Sequence, residues 1–274
     1  MHEFTNYQPE VAMARGAGRM AGAIILKYFE SGQNVQYKGD GSPVTVADKL
    51  INDNVIELAA EHFPADGVIG EEASTAETNQ ERLWYCDPID GTIAYTWGTP
   101  TSMFSLALQE GGQTKVGYVY DAFLEREYIA VAGEGSYCND QKLQVSDLDL
   151  EDRSTVVAVS SSVDRILAEP HIKTLRNKGV KLAIFSGAVC KAALVARGNF
   201  AGYIEAGVGR HDVAAAELII TEAGGRVTDL AGRPLNYSQP FLGAIMSNGV
   251  VHDELVAIVK PELQRTVVAV DFLA

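Results

Sequence analysis

Helical spacing of small and apolar residues opens the chain. The repeat runs through Val11, Ala14, Ala17, Ala21, Ile24, Ile25 and Tyr28. It predicts an amphipathic helix over 7–31 that ends at a Ser-Gly pair and packs closely against another helix through its small residues. Alternation then predicts a strand at 35–38, and a second helical pattern predicts a helix from Lys49 to His62.

Short apolar runs separated by turn residues fill the next part of the chain. One run ends at Gly70 and another at Tyr85, with a polar loop at 74–81 between them. Apolar alternation then predicts three strands, at 102–108, 115–121 and 127–132. Turn residues suggest hairpin turns at 133–137 and 139–142. Up to about residue 145 we therefore expect helices followed by an antiparallel sheet.

Strand patterns alternate with helix patterns from about residue 147 onward. Strands are predicted at 155–159, 180–185, 202–205, 227–229 and 245–248. Helices are predicted at 163–178, 189–197, 213–223 and 252–260, with Asp212 at the start of the third. Such alternation indicates an α/β arrangement. We expect a layered protein of the α/β class (an α+β sandwich), with an N-terminal α+β half at 1–146 and a C-terminal α/β half at 147–274.

The composition is that of an ordinary globular protein, and its charge limits the possible partners. Hydrophobic residues make up 47% of the 274 positions, and 22 basic against 36 acidic residues give a net charge of −14. This charge argues against binding to nucleic acid or to an anionic membrane. An acidic protein that handles phosphate needs positive charge at the site, which metal ions can supply.

The cysteines and the N-terminus add expectations about the environment. Cys86, Cys138 and Cys190 show neither metal-ligand spacing nor a disulfide framework, so we expect reduced, mostly packed thiols. The sequence begins with no signal segment and contains no apolar run of 18 residues, so the expected location is the cytoplasm.

The stretch from Asp87 to Thr92 carries the strongest chemical signal. Two acids, Asp87 and Asp90, flank a proline behind an apolar strand, and Gly91 and Thr92 follow at once. Carboxylates can hold divalent metals, and backbone N–H groups at a helix start near Thr92 can hold an anion. A metal-assisted phosphatase needs both. The alternative interpretation is a solvated surface turn, since all these residues are turn formers.

Several motifs in a fixed order make the chain resemble the inositol monophosphatase family, whose members are Mg²⁺-dependent, lithium-sensitive phosphatases. The motifs are Ser42–Asp48, Gly70–Glu72, Asp87–Thr92, Asn139–Leu143, Asp212–Glu217 and Glu222–Gly225. The resemblance extends over most of the chain. It implies a sandwich of alternating helix and sheet layers, with most metal ligands in the N-terminal half.

The resemblance implies a set of metal ligands. Glu71, Asp87 and the carbonyl of Ile89 would bind a first Mg²⁺, and Asp87, Asp90 and Asp212 a second. A third, weaker ion would use Glu71 and waters. Two or three Mg²⁺ ions are thus expected, with possible substitution by Mn²⁺ and inhibition by Li⁺.

The resemblance also implies catalytic and phosphate-binding residues. Thr92 and Asp48 would orient and deprotonate the attacking water, and Glu72 would lie just behind the metal ligands. The backbone N–H groups of Gly91 and Thr92 would hold the phosphate. Taken alone, Asp48 is also a candidate N-cap of the helix that follows it.

A third set of residues would contact the substrate. Ser186, Gly187 and Ala188 match a turn that lines the substrate in the family, and Glu205 matches an acid that binds a ring hydroxyl. Lys38 matches a lysine near the active site. Alternatively, Glu205 is a solvated acid and Lys38 an ordinary surface lysine.

Two positions depart from the family pattern. His211 stands where a tryptophan usually precedes the distal metal aspartate, and Ile93-Ala94-Tyr95 replaces an Asn-Phe pair after the glycine and threonine. His211 is either a packing and hydrogen-bonding side chain or a substrate contact. The second departure predicts an altered pocket for the leaving group.

These implications together favour hydrolysis of a small phosphate monoester by a metal-activated water, with inositol monophosphate the favoured substrate. Histidinol phosphate, fructose 1,6-bisphosphate and 3′-phosphoadenosine nucleotides are the enzymatic alternatives, because relatives handle each of them. The other alternative is a catalytically idle relative that acts as a binding or regulatory subunit. The expected partners are a small phosphorylated metabolite and a second copy of the chain, with no nucleic acid and no membrane.

Overall fold

The computed structural model describes residues 2–29, 35–39, 41–76, 80–160, 170–239 and 242–271. Within these ranges the chain forms seven α-helices and fourteen β-strands. The helices are α1 (Gln8–Phe29), α2 (Val46–His62), α3 (Thr92–Thr96), α4 (Pro170–Asn177), α5 (Ala188–Ala196), α6 (Arg210–Glu222) and α7 (His252–Asp271). None of the helices in the described part of the chain is long and apolar enough to cross a membrane.

The N-terminal part is built on one seven-stranded sheet. Its strands lie side by side in chain order: β3 (Gly67–Gly70), β4 (Arg82–Asp90), β5 (Met103–Glu110), β6 (Gln113–Asp121), β7 (Arg126–Val131), β8 (Gly135–Cys138) and β9 (Gln141–Lys142). Strands β3 and β4 are parallel, and every other pair in the sheet is antiparallel. A separate antiparallel pair, β1 (Gln36–Tyr37) and β2 (Pro43–Val44), precedes α2.

Aromatic rings of this sheet pack against glycines of α1. A Cβ placed on Gly18 would overlap the ring of Tyr118, and one on Gly22 would overlap the ring of Tyr120. Helix α1 also packs beside α2. The packing against another helix that the small residues predicted is present, and the two glycines in addition make room for aromatic rings of β6.

The C-terminal part is built on a five-stranded sheet of mixed direction. Its strands are β10 (Val156–Val159), β11 (Lys181–Ile184), β12 (Gly202–Ala206), β13 (Arg226–Asp229) and β14 (Gly243–Ser247), in the order β11-β10-β12-β14-β13. Strand β10 is parallel to both neighbours, whereas β14 is antiparallel to both of its own.

Helices α5 and α6 lie between the two sheets and share one core with them. The alanine-rich face of α6 comes so close to β6 that a Cβ on Gly117 would lie 2.7 Å from the carbonyl oxygen of Ala215. Helices α1 and α2 cover the outer face of the first sheet, and α4 and α7 that of the second. The layers thus alternate between helix and sheet, which confirms the predicted fold class.

Several predicted boundaries were wrong for identifiable reasons. Helix α2 begins at Val46 rather than Lys49, because Thr45 is its N-cap and Asp48 lies inside its first turn. Helix α7 continues through Pro261 to Asp271 instead of ending at Lys260, although a proline inside a helix removes one backbone hydrogen bond. The residues predicted as hairpin turns at 133–142 include strands β8 and β9.

Other predictions fall partly on residues outside the described ranges. The predicted end of the first helix at 31–32 and the first half of the helix predicted at 163–178 lie there. The described part of the latter helix is α4, Pro170–Asn177. The antiparallel sheet expected before residue 145 is present, but its first pair, β3 and β4, is parallel.

Candidate active site

An irregularity at the end of β4 brings its two acids to one place. In the pairing with β5, Asp87 lies opposite Ser105 and Asp90 opposite Met103, so β4 has one residue more than its partner between these points. Side chains three positions apart on a regular strand face opposite sides. The extra residue, beside Pro88, reverses that alternation, and the carboxylates of Asp87 and Asp90 meet.

Three carboxylates converge at this point. Oxygen atoms of Asp87, Asp90 and Asp212 all lie within 4.8 Å of one another. Asp87 is 1% exposed, and its Oδ1 has no hydrogen-bond partner among the described residues. Burial raises the pKa of Asp87 well above its ordinary value, and the charges of Glu71, Asp212 and Asp90 raise it further. An unpartnered buried oxygen among crowded carboxylates fits a divalent cation that prefers hard oxygen ligands.

Asp90 is held by the start of α5. The backbone N–H of Ala188 donates to its Oδ1 at 2.9 Å, and that of Val189 donates to its Oδ2 at 2.8 Å. Burial and the charge of Asp212 raise the pKa of Asp90 to about 7, although these two hydrogen bonds act in the opposite direction. Each oxygen retains further lone pairs, so both remain available as ligands.

Asp212 reaches the cluster from the first turn of α6. Helix α6 begins at Arg210, three residues before the predicted start at Val213, with Gly209 as its N-cap. The backbone N–H of Gly209 donates to Asp212 Oδ2 at 2.5 Å. His211 packs its ring against Gly209, where a side chain would collide with it, and its Nε2 lies 3.7 Å from Asp212 Oδ2.

The side chains of Thr92 and Asp48 face each other beside the cluster. Thr92 Oγ1 lies 3.4 Å from Asp48 Oδ1 and 3.1 Å from the carbonyl oxygen of Ile89. The other oxygen of Asp48 accepts hydrogen bonds from the backbone N–H (2.8 Å) and hydroxyl (2.5 Å) of Thr45. Burial raises the pKa of Asp48 to about 6 even though the hydrogen bonds from Thr45 lower it. Asp48 is thus one half of a capping box, with Thr45 as the N-cap.

Glu71 and Glu72 follow β3 and share one lysine. Lys38 Nζ lies 2.7 Å from Glu71 Oε1 and 2.5 Å from Glu72 Oε1. Burial acts to lower the pKa of Lys38, but the hydrogen bonds and charges of the two glutamates outweigh it and raise that pKa. Burial also raises the pKa of Glu72. Lys38 is therefore not an ordinary surface lysine. Glu71 is not among the three acids whose oxygens lie within 4.8 Å of one another, but its charge acts on Asp87.

The residues predicted to line the substrate surround the start of α5. The carbonyl oxygen of Ser186 accepts a hydrogen bond from Thr101 Oγ1 at 3.0 Å, and Gly187 precedes Ala188 with φ 108°. Gly91 has φ 79° and is the N-cap of α3. Glu205 on β12 is 7% exposed, so it is not a solvated acid.

Two basic residues near the site were missed by sequence reasoning. Lys191 is buried on α5 and its Nζ lies 3.0 Å from Glu205 Oε2. Arg210 precedes His211, and its buried Nε has no hydrogen-bond partner among the described residues. A signal for Lys191 was present, since it is the only charged residue between Ala188 and Ala196. A charged residue in an apolar helix implies a buried partner.

The comparisons with known proteins agree on one family. The sequence model of the Inositol monophosphatase family matches residues 6–264. A protein of Thermotoga maritima named fructose-1,6-bisphosphatase/inositol-1-monophosphatase is 32% identical over 250 residues, 90% of this chain and 94% of that protein. The Nus factor SuhB of Pasteurella multocida is 33% identical over 232 residues, 82% of this chain and 86% of that protein.

A solved structure supports the same assignment. The structure of an inositol monophosphatase (IMPase) from Thermotoga maritima superposes with a TM-score of 0.85 at 28% identity, covering 93% of this chain and 98% of that one. The family match over nearly the whole sequence agrees with the layered fold and with the acidic cluster that fits a metal ion. This chain therefore belongs to the inositol monophosphatase family of metal-dependent phosphatases, and it is a phosphoric monoester hydrolase.

Proposed function

We propose that this chain hydrolyses the phosphate monoester of a small polyol in a Mg²⁺-dependent reaction, with inositol monophosphate the favoured substrate. The observation that carries the proposal is the convergence of Asp87, Asp90 and Asp212. One oxygen of this cluster, Asp87 Oδ1, is buried without a hydrogen-bond partner among the described residues. The facing side chains of Thr92 and Asp48 beside this cluster add a proton-accepting pair.

The acidic residues are the proposed metal ligands. Asp87, Asp90 and Asp212 would hold one ion, and Glu71, Asp87 and the carbonyl of Ile89 another, with a third ion on Glu71. Bound Mg²⁺, or Mn²⁺ in its place, would supply positive charge to the phosphate and lower the pKa of bound water. For Glu71 to act as a ligand, its carboxylate has to share the contact that it makes with Lys38.

Thr92 and Asp48 are the proposed proton-accepting residues. The Thr92 hydroxyl can accept a hydrogen bond from a water while donating its own proton towards Asp48 Oδ1, 3.4 Å away. Thr45 occupies the other oxygen of Asp48 and so fixes the carboxylate in this orientation. Glu72 has a supporting role, because it holds Lys38 together with Glu71.

The proposed substrate site lies across the start of α5. Backbone N–H groups of Gly91 and Thr92 would hold the phosphate, with Lys38 adding positive charge at one side. Ser186, Gly187 and Ala188 would line the leaving group, and Glu205 would accept a hydrogen bond from one of its hydroxyls. A buried carboxylate favours substrates with hydroxyl groups, because each apolar analogue leaves it without that partner.

Other esters and other roles are tested by the same assay. The name of the Thermotoga maritima relative includes fructose 1,6-bisphosphate, and histidinol phosphate and 3′-phosphoadenosine 5′-phosphate complete the panel. The name of the Pasteurella multocida relative, Nus factor SuhB, includes no phosphate ester. A net charge of −14 argues against an RNA-binding role for this chain.

The test is phosphate release from these four esters with Mg²⁺ and with a chelator. We expect inositol 1-phosphate to lead by at least about tenfold in kcat/KM, which corresponds to about 1.4 kcal/mol. If a different ester has the highest kcat/KM, the proposed substrate is wrong, but the proposed metal-dependent reaction still holds. No turnover of any ester with Mg²⁺ or Mn²⁺ would favour the idle, binding role.

We also propose that the chain acts in the cytoplasm, as its sequence pattern suggests, and as a homodimer, as the family resemblance implies. Two exposed apolar side chains near the site could pack against a second copy of the chain: Ile93 is 44% exposed and Trp97 is 77% exposed. Sedimentation velocity at micromolar concentration should give the mass of a dimer. A monomer across the whole concentration range would contradict this part of the proposal.

A further inference from the structure

A buried lysine lies behind the proposed substrate site. Lys191 is 1% exposed, and its Nζ lies 3.0 Å from Glu205 Oε2 and 3.4 Å from the carbonyl oxygen of Val159. The ammonium also lies over the ring of Tyr203, 4.6 Å from its centroid. These contacts provide a charge, a carbonyl and an aromatic face, which together offset much of the loss of hydration.

The position of Lys191 links two parts of the site. Helix α5 begins at Ala188, and the N–H groups of Ala188 and Val189 hold Asp90. One turn later the same helix presents Lys191 to Glu205 on β12. A single rigid helix therefore sets the place of a proposed metal ligand and of a proposed substrate contact.

Stability alone is a poor explanation for this pair. Buried ion pairs contribute little net stability, and replacing both partners by apolar residues is often neutral or stabilising. The rest of α5 between Ala188 and Ala196 carries no other charge and packs into the core between the sheets. An apolar residue at position 191 opposite a neutral residue at 205 would suit that core equally well.

The charge of Glu205 explains the need for a cation. Besides Lys191, the carboxylate of Glu205 has a hydrogen bond with Ser160, and Asp212 is near enough for its charge to act on Glu205. A free carboxylate here would add negative charge close to the three aspartates and to a bound phosphate. Burial raises the pKa of Glu205, and the charge of Lys191 acts in the opposite direction. When both side chains are ionised, the pair adds no net charge and its carboxylate is still a hydrogen-bond acceptor.

We propose that Lys191 is a positioning residue that determines specificity for leaving groups with hydroxyls. Its contact with Oε2 holds the Glu205 carboxylate in one orientation, so that a polyol hydroxyl can donate to it. The inference rests on the proposed function, because it assumes that Glu205 contacts the leaving group. Lys191 itself touches Glu205 and takes no part in the reaction at phosphorus.

The test compares two kinds of ester in four variants. The variants are Lys191→Met, Glu205→Gln, their double variant, and Lys178→Met as the matched control. Lys178 pairs with Glu254 at 2.7 Å on the surface of the same half, so the control removes a charge and an ion pair away from the site. The substrates are the polyol phosphate that the wild type prefers and 4-nitrophenyl phosphate, whose leaving group has no ring hydroxyl to donate to Glu205.

We expect Lys191→Met to raise KM for the polyol phosphate about tenfold or more while kcat changes less than about threefold. Its kcat/KM on 4-nitrophenyl phosphate should stay within about threefold of the wild type. The double variant should be no worse than Lys191→Met, since Lys191 acts through Glu205. The control should match the wild type on both substrates.

The double variant keeps the proposal testable if Lys191→Met alone fails to fold. It contains neither an unpaired buried lysine nor an unpaired buried carboxylate, so we expect it to fold and to lose more kcat/KM on the polyol ester than on 4-nitrophenyl phosphate. An equal loss of kcat/KM on both substrates in Lys191→Met would overturn the proposal. It would indicate instead that Lys191 acts by holding α5, and with it Asp90, in place. Unchanged kinetics in folded Lys191→Met or in the folded double variant would overturn it as well. A wild type that hydrolyses neither ester with Mg²⁺ would instead refute the proposed function.

Discussion

The backbones of Gly91 and Gly187 meet in the space between α3 and α5. A Cβ on Gly91 would lie 3.0 Å from the Cα of Gly187, and one on Gly187 would lie 2.6 Å from the carbonyl oxygen of Thr101. Both glycines have positive φ, 79° and 108°. This contact brings the start of α5 against the end of β4, where its N–H groups reach Asp90.

Gly187→Ala should therefore weaken the site as well as the fold. The new methyl group overlaps the Thr101 carbonyl and forces α5 away from Asp90, and we expect a loss of about 1–3 kcal/mol in the free energy of unfolding. The concentration of Mg²⁺ that gives half-maximal activity should rise. Chemical denaturation and a Mg²⁺ titration of phosphate release measure the two effects.

Gly179→Ala is the matched control for that substitution. Gly179 also has positive φ, 85°, but nothing lies within 4 Å of a Cβ placed on it. It should show only the cost of the backbone conformation, about 1 kcal/mol, and an unchanged Mg²⁺ requirement. An equal loss of stability in the two variants, with equal Mg²⁺ titrations, would show that the contact around Gly187 does not position Asp90.

Asp90→Asn should abolish nearly all activity without unfolding the protein. The substitution removes a charged oxygen ligand and relieves repulsion among Asp87, Asp90 and Asp212, whereas its NH2 group cannot accept one of the two hydrogen bonds from the start of α5. These effects oppose each other, so the metal-free protein should stay folded. Thermal unfolding with and without Mg²⁺ measures this. Mg²⁺ should raise the Tm of the wild type more than that of the variant, which keeps only the proposed ligands of the other ions.

The exposed acid Asp152 provides the control, since Asp152→Asn makes the same chemical change outside the site. It should respond to Mg²⁺ as the wild type does. Wild-type turnover by Asp90→Asn would contradict the assignment of Asp90 as a metal ligand.

Lithium should inhibit phosphate release at about millimolar concentration. The three aspartates that resemble the family's second metal site offer the hard oxygen ligands that a small monovalent cation also binds. Initial rates at saturating Mg²⁺, with sodium in place of lithium as the control for ionic strength, measure the effect. Rates that respond equally to the two salts would place this chain in a branch of the family without lithium sensitivity.

A buried histidine far along the chain should make stability depend on pH. His252 Nδ1 lies 2.8 Å from Ser247 Oγ and its Nε2 lies 2.9 Å from Thr228 Oγ1. Burial lowers the pKa of His252 from its ordinary 6.5 to about 4, and the charge of Arg226 acts in the same direction, whereas that of Asp253 opposes it. The folded protein therefore holds His252 neutral between pH 4 and 6.5, where the unfolded chain binds a proton.

Because the unfolded state binds more protons in this window, His252 contributes a stability that is complete above pH 6.5 and is lost as the pH falls towards 4. The contribution amounts to about 3 kcal/mol over the window. Denaturation of the wild type and of His252→Gln across this range isolates it from the carboxylates, which titrate in both proteins. If the curves of unfolding free energy against pH run parallel for the two proteins, His252 binds its proton at the same pH in the folded and unfolded states. That result would contradict the lowered pKa.

The family and the layered fold could be predicted because they depend on local patterns. Apolar periodicity shows which segments are helices and which are strands, and the motif from Asp87 to Thr92 lies in consecutive residues. Even the turn at Gly91 is local, since a positive φ before a short helix favours glycine. Boundaries were less accurate where a side chain outside the pattern decided them, as Thr45 does for α2.

The grouping of distant side chains could not be predicted in this way. Nothing in the spacing of Lys191 and Glu205 shows that a helix and a strand bring them within 3.0 Å. Nor does the spacing of Asp87 and Asp90 show that β4 has an extra residue that turns both acids to one side. Such contacts depend on the register of strands and on how helices pack on sheets.

The sequence by itself determined the class of protein: an acidic chain with apolar patterns for alternating layers and with carboxylates in the order of a metal-dependent phosphatase. The tertiary structure alone decided which charges face each other, including the shared contacts of Lys38 with Glu71 and Glu72. The physical reason is that periodicity and turn formation act over a few residues, whereas burial and electrostatic pairing depend on distances that exist only after the layers pack.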